Sequence, residues 1–207
     1  MRTYSIIRDG EYKNLSALEI NGAILDLGGN LDSEYHRLIK GNYTFTSVNI
    51  STKYKSDLVF DIEEKFPIED KKFDAVLCMN VLEHIYRFNN VVSETFRVLK
   101  KKGRFIFAVP FMHHIHGNPD DYFRYTRSAI EKILKENKFE NIDIREIGSG
   151  LFSVLYQSSS GAYPSLIKGI FKNLALFTDW LFSGISQRYR NVGKRIPLGY
   201  FVVARKP

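Results

Sequence analysis

The stretch Ala23-Ile24-Leu25-Asp26-Leu27-Gly28-Gly29-Asn30 decides the fold. A short apolar run ends in an acid and two glycines. Buried parallel strands read as near-continuous apolar runs, and ligands gather at their carboxyl ends. Three further segments repeat the pattern in order: Val48-Asn49-Ile50, Val59-Phe60-Asp61-Ile62, and residues 73–80 followed by Val81-Leu82-Glu83-His84. Each runs apolar and then stops in small or polar residues, so the series predicts one ligand-binding edge.

The intervening segments supply helices. Asp32-Ser33-Glu34 offers caps and early negative charge, with Tyr35, Leu38 and Ile39 on one face and Gly41-Asn42 as a stop. Residues 89–100 predict a helix with Val91, Val92, Thr95, Phe96 and Leu99 inward, closed by Lys101-Lys102-Gly103. A helix is expected over 128–137. Strands are expected over 44–50, 58–61, 73–79, 104–110, 142–147 and 200–204. Such alternation implies a parallel sheet with right-handed crossovers. Four regions follow: a cover segment over 1–22, a core over 23–150, a helical insertion over 151–196, and a final core strand over 197–207.

A chain of 207 residues suits one domain with a decorated end, and 44% apolar residues support a core. Cys78 is the only cysteine, which rules out a disulfide within the chain and favours a reducing compartment. Residues 1–10 contain no apolar run of the kind a signal peptide needs, so a cytoplasmic protein is expected. Charge divides sharply. Residues 1–150 carry 22 basic and 22 acidic side chains, whereas residues 151–207 carry eight basic ones against Asp179 alone. The whole excess of +7 therefore lies in the last part of the chain, which suits an anionic or interfacial partner.

The turn after the first strand is not a dinucleotide or phosphate loop. It lacks G-x-G-x-x-G, and no G-x-x-x-x-G-K-[ST] follows. A turn with only Gly28-Gly29 suits an amino-acid or nucleoside moiety better than a pyrophosphate.

Taken together, the segments resemble the class I S-adenosylmethionine-dependent methyltransferases, over roughly residues 22–148. Asp26-Leu27-Gly28-Gly29 is similar to the family's D-x-G-x-G, and Val48-Asn49-Ile50-Ser51 to its V-D-I-S. Phe60-Asp61-Ile62 stands at the G-D-A position. Phe66-Pro67 with Lys72-Phe73-Asp74-Ala75-Val76 matches L-P-F…S-F-D-x-V. Val81-Leu82-Glu83-His84-Ile85 matches directly, and Arg97-Val98-Leu99-Lys100-Lys101-Lys102-Gly103 matches R-V-L-K-P-G-G. The resemblance implies a Rossmann-like, doubly wound, mostly parallel seven-stranded sheet with the helical insertion before the last strand. It implies S-adenosyl-L-methionine as cofactor. Asp26, Gly28 and Gly29 would border the methionine part, Asn49 would face the ribose hydroxyls, Asp61 would accept from the adenine amino group with Ile62 beside the ring, and Asn80 would lie under the methionine end. Two departures concern affinity. Asn30 replaces the second glycine, with left-handed backbone tolerated by Asn, and Asn49 replaces an acid.

Candidate chemistry centres on histidines. His84 follows the fourth strand, and His113, His114 and His116 follow the fifth. His84 and His113 are the candidate general bases for a hydroxyl acceptor. No metal is expected. The alternative is a divalent ion on Glu83 and His84 with His113 or His114, in which Asn80 stands where related sequences carry another acid. The loop over 118–126 resembles a D-x-x-R-Y-T stretch, and Tyr122, Arg124 and Tyr125 are the candidate acceptor-binding residues; alternatively Arg124 pairs with Asp120 or Asp121 and orders the loop.

Residues 164–195 pair helically spaced apolar side chains with a basic flank, too short and interrupted for a membrane span. They are read as a lid or homodimer element, or as an in-plane helix at the inner membrane face. Nucleic-acid binding is not expected, since no RNA module is visible. The expected function is O-methylation of a small-molecule, glycan or lipid-linked acceptor. The alternative is a non-catalytic scaffold acting at a membrane through residues 151–196.

Overall fold

The computed structural model describes residues 5–117 and 120–207. Among them, seven strands form one sheet: β1 (Gly22–Leu27), β2 (Tyr43–Asn49), β3 (Leu58–Val59), β4 (Phe73–Met79), β5 (Leu99–Pro110), β6 (Glu140–Ser149) and β7 (Pro197–Arg205). The order is β3-β2-β1-β4-β5-β7-β6. The first five strands pair in parallel, while β7 runs antiparallel between β5 and β6. This is the expected Rossmann-like, mostly parallel sheet.

Strand order reverses between β1 and β4. Chains leaving these two strands diverge to opposite faces, which opens a crevice at their carboxyl ends. Alternate side chains supply the two cores. Leu25, Leu27, Val76, Phe105 and Phe107 face one side, and Ile24, Ala75, Leu77, Ile106 and Ala108 the other. Cys78 is buried and unbridged. Helices α2 (Phe88–Val98) and α3 (Arg127–Glu136) cover the sheet. Thr126 caps α3 by accepting from Ala129 N–H.

Helix α1 (Ile6–Ser16) packs with the insertion, which consists of α4 (Leu151–Ser159), α5 (Ser165–Ile185) and α6 (Gln187–Gly193). Ile6, Ile7, Tyr156, Ala175 and Leu198 share a small core. Asp179 of α5 organises the unit. Its carboxylate accepts from Phe152 N–H at 3.0 Å and Ser153 N–H at 2.8 Å, two of the orphan donors at the start of α4, and from the hydroxyls of Ser153 and Tyr189. Among the described residues, no helix is long and apolar enough to cross a membrane.

Two local expectations change. The helix expected from Asp32 is only a 3-10 turn, Glu34–Leu38. Tyr35 and His36 fold back onto Asp26, and the Tyr43 hydroxyl donates to the carbonyls of His36 and Ile39, which ends the helix early. Lys101-Lys102-Gly103 does not close a helix. Helix α2 ends at Val98, and Leu99 pairs at once with Phe73. The three residues lie within β5 as an irregularity, with Lys102 at φ 65°. Gly103 leaves room there for the carbonyl oxygen of Lys100, which a Cβ would approach to 2.8 Å.

Candidate active site

The crevice at the switch point is a cleft of about 460 Å³. Its walls come from the carboxyl ends of β1, β2 and β4 and the segment after β3: Gly28, Asn49, Asp61, Ile62 and Asn80, with Tyr54 and Phe60 beside them. His84, Asp120 and Tyr122 form its other end. Small-molecule sites are clefts of this size range with a few convergent polar groups.

Gly28 makes the turn. Its φ is 81°, a value that L side chains rarely adopt, and its N–H donates to Val48 C=O at 2.9 Å. Asn30 does not adopt the left-handed conformation expected of it. Its Oδ1 instead accepts from Asp32 N–H at 2.9 Å, an Asx turn at the wall of the cleft. Of the asparagines lining the cleft it is Asn80 that is left-handed, at φ 54°.

Asp26 lies beneath this turn rather than in the cleft. It is fully buried, and its Oδ2 accepts from the Tyr35 hydroxyl at 2.7 Å and lies 2.6 Å from His36 Nε2. Burial pushes its carboxyl up, against the opposing hydrogen bonds from His36 and Tyr35. Asp26 therefore braces the turn from below. Asn49 reaches the cleft, but its amide is already engaged. Nδ2 donates to the carbonyls of Gly28 and Gly29 at 3.3 Å each, and Oδ1 accepts from Ile50 N–H at 2.9 Å. A carboxylate could not make the two donations, which gives the amide at this position a structural reason. Asp61 Oδ1 accepts from Glu63 N–H at 2.8 Å, and Glu63 in turn accepts from the N–H groups of Tyr86 and Arg87. Ile62 is buried beside it.

Below Asn80 lies a buried carboxylate that sequence reading missed. Glu11 of α1 is 1% exposed, and its Oε1 accepts from Asn80 Nδ2 at 2.8 Å. Burial raises its pKa, opposed by the nearby Arg8 charge. Nothing local in residues 6–16 announces this contact, because its partner is 69 positions away.

At the other end, Glu83 lies in the 3-10 turn Leu82–His84, fully buried, with no hydrogen-bond partner for either carboxylate oxygen. Burial pushes its pKa up to about 8, and the charge of Glu11 adds to the rise. His84 Nδ1 donates to Asp120 C=O at 2.6 Å, and the backbone N–H groups of Tyr122 and Phe123 donate to Glu83 C=O. These bonds hold the loop after residue 119 against the cleft.

The remaining candidates divide. Tyr122 lines the cleft, its hydroxyl donating to Asp120 Oδ2 at 3.0 Å. Arg124 does not line it. It clamps Asp121 with both terminal nitrogens and donates to His114 C=O at 3.1 Å, and it holds the Asp121 carboxyl well below the usual range. Tyr125, expected at the acceptor, is buried in the core with its hydroxyl donating to Leu82 C=O at 3.0 Å. His113 also lies off the cleft. Burial first, and the neighbouring His114 and His116 next, lower its pKa to about 4, which makes it a weak base. Asn118 and Pro119 lie outside the described residues.

A family model described as a methyltransferase domain matches residues 25–107. The ubiquinone/menaquinone biosynthesis C-methyltransferase UbiE of Bartonella tribocorum is 28% identical over 134 residues, covering 55% of this chain and 50% of the relative. An uncharacterized protein of Methanocaldococcus jannaschii is 31% identical over 104 residues, covering 49% and 40%. This chain thus spans about half the length of the curated relatives it matches. Among solved structures, an S-adenosylmethionine-dependent methyltransferase of Archaeoglobus fulgidus superposes with a TM-score of 0.62 at 14% identity, covering 99% of this chain and 95% of that one. A phosphoethanolamine N-methyltransferase of Haemonchus contortus, solved with S-adenosyl-L-methionine, superposes with a TM-score of 0.56 at 14% identity, covering 95% and 51%. These likenesses carry the fold.

Proposed function

We propose that this chain transfers a methyl group from S-adenosyl-L-methionine to a hydroxyl of a small-molecule, glycan or lipid-linked acceptor, a reading supported by the match of residues 25–107 to a family model described as a methyltransferase domain. The observation that carries the reading is the convergence of Gly28, Asn49, Asp61 and Asn80, from four separate segments, on one cleft. The Gly28-Gly29 turn has no side chain in the way, so its backbone can approach a ligand closely. In this reading Gly28 and Asn80 hold the methionine end, Asn49 stands at the ribose, and Asp61 accepts from the adenine amino group with Ile62 against the ring. Asp26 supports the turn without contact.

The bound cofactor supplies an electrophilic methyl on a sulfonium. The protein's own share is chiefly positioning, which converts a bimolecular encounter into an oriented one. His84 and Tyr122 take the acceptor end. Because a carbonyl can only accept, the bond from His84 Nδ1 to Asp120 selects, for the neutral ring, the tautomer with its proton on Nδ1 and its lone pair on Nε2. That nitrogen is a base for a hydroxyl proton.

A second reading, methylation at carbon, draws on the UbiE relatives named above. The face of α5 supports an acceptor at a lipid surface in either case. Leu166, Ile170, Leu174, Phe177, Trp180, Leu181 and Ile185 are all exposed along one side of that helix, with Arg188, Arg190, Lys194 and Arg195 following. An exposed apolar stripe with a basic flank suits an in-plane helix on an anionic surface. The scaffold reading is weaker, because it gives the cleft no task.

The test is transfer of a labelled methyl group to a panel of glycans, lipid-linked sugars, phenols, quinols and amines. Label on oxygen supports the reading. Label only on carbon or nitrogen sinks O-methylation and keeps the enzyme.

A further inference from the structure

We propose that Glu83, His84 and His116 form a site for one divalent transition-metal ion of the zinc class, at the acceptor end of the cleft. The proposal deepens the methyl-transfer reading and rests on it only for what the ion does, not for whether it binds.

Glu83 poses the question. Its carboxylate is fully buried, and neither oxygen has a hydrogen-bond partner. An unpaired buried carboxylate is costly, and such groups are normally paired or coordinate a cation. Two imidazole nitrogens face it. His84 Nε2 lies 3.9 Å and His116 Nε2 3.8 Å from Glu83 Oε1, too long for hydrogen bonds. The donor atoms of all three residues lie within 4.8 Å of one another.

Both rings are oriented as ligands are. The other nitrogen of His84 donates to Asp120 C=O at 2.6 Å. His116 Nδ1 lies 3.3 Å from His114 C=O and 3.4 Å from Asp121 Oδ2, and Asp121 is itself clamped by Arg124. Neither neighbour of that nitrogen has a proton to give, so Nδ1 carries the hydrogen and Nε2 presents its lone pair to Glu83. Metal-bound histidines anchor their second nitrogen on a carbonyl or carboxylate in this way, which sets the tautomer. Two imidazoles and one carboxylate suit zinc and its first-row neighbours rather than magnesium or calcium.

The separations fit an ion entering a slightly open site. With bonds of about 2.0–2.1 Å, tetrahedral donors stand about 3.4 Å apart, so the two Glu83–histidine separations of 3.9 and 3.8 Å must close by about half an ångström, and the donors of His84 and His116, which lie within 4.8 Å of each other, by at most about 1.4 Å. His84 belongs both to the cleft and to this cluster. Three protein donors leave coordination positions open, and an acceptor oxygen is the class of ligand that would take one. With the ion in place His84 would be a ligand and not a base; the ion would lower the pKa of an acceptor hydroxyl bound to it, and the released proton would pass to solvent.

The test uses the full chain, stripped with a chelator and titrated with Co2+ and with Zn2+. Cobalt is read by its visible absorption and zinc by calorimetry, in the wild type and in Glu83→Gln, His116→Ala and His114→Ala. The expected result is one ion per chain, with affinity reduced at least about tenfold in Glu83→Gln and His116→Ala and retained in His114→Ala. If Glu83→Gln fails to fold, the partly exposed His116 keeps the test decisive. No cobalt spectrum at millimolar Co2+ in folded protein overturns the proposal. So does unchanged affinity in His116→Ala. S-adenosylhomocysteine binding is measured separately in metal-free protein, so failure of the cofactor reading is distinguishable from failure of the metal site.

Discussion

Asp26 fills the space that a side chain on Gly29 would need: a Cβ there would lie 1.8 Å from Asp26 Oδ2. The glycine is therefore required by a buried carboxylate below the turn as well as by any ligand above it. Gly29→Ala must push apart Asp26, Tyr35 and His36, and the expected loss of stability is about 1–3 kcal/mol. Chemical denaturation checks this. A wild-type midpoint in Gly29→Ala would remove Asp26 from its bracing role.

Asp61 separates binding from folding. Asp61→Asn keeps an oxygen acceptor for Glu63 N–H, the bond now made at 2.8 Å, but removes the charge. Asp61→Ala removes both. Both variants are expected to weaken S-adenosylhomocysteine by at least about tenfold, equivalent to about 1.4 kcal/mol. Only Asp61→Ala should also lower the melting temperature. Wild-type affinity in both would move the adenine contact elsewhere.

Arg97 ties the segment after the cleft to α2. Its guanidinium donates to Ile68 C=O at 2.7 Å, Phe66 C=O at 3.0 Å, Asp70 Oδ1 at 2.6 Å and Glu94 Oε2 at 2.7 Å. That hydrogen bonding holds the Glu94 carboxyl below its usual range. A depressed folded pKa adds stability above the unfolded pKa, about 4.3 for Glu, and that stability is lost as pH falls through the folded value. Arg97→Ala is expected to cost about 2 kcal/mol at neutral pH. Its melting temperature should also fall less steeply than the wild type's below about pH 4. Parallel acid profiles would contradict the clamp.

The exposed face of α5 is testable apart from catalysis. Ile170 and Phe177 are 67% and 55% exposed, so Ile170→Asp and Phe177→Asp should fold normally and keep cofactor affinity. Sedimentation with anionic vesicles should fall several-fold in the double variant, and should fall with added salt in the wild type. If vesicle binding is unchanged but molar mass in light scattering drops, the face joins two copies of the chain instead.

The sheet and its ligand edge were legible because their signals are local. An apolar run that stops at Asp26-Leu27-Gly28, or at Met79-Asn80, announces a strand end wherever the chain goes next. The 3-10 turn after Ser33 was not legible, because Tyr43 ends it from the following strand. Lys101-Lys102-Gly103 reads as a helix stop in isolation and becomes part of β5 only through pairing with β4. Site residues follow the same division. Gly28, Asn49, Asp61, Ile62 and Asn80 reach the cleft because strand ends place them there. Tyr125 looks like its neighbour Tyr122 in sequence, yet one fills the core and the other the cleft. Glu11 and His116 lie far along the chain from Asn80 and Glu83, and only the tertiary fold brings each pair together.

The central claim is that the cleft at Gly28, Asn49, Asp61 and Asn80 holds the cofactor. Calorimetric titration of the purified chain with S-adenosylhomocysteine tests it most directly, with Asp61→Ala alongside. The account predicts one site of micromolar affinity in the wild type and a marked loss in the variant. No heat of binding at millimolar ligand, in protein whose melting transition shows it folded, would contradict it.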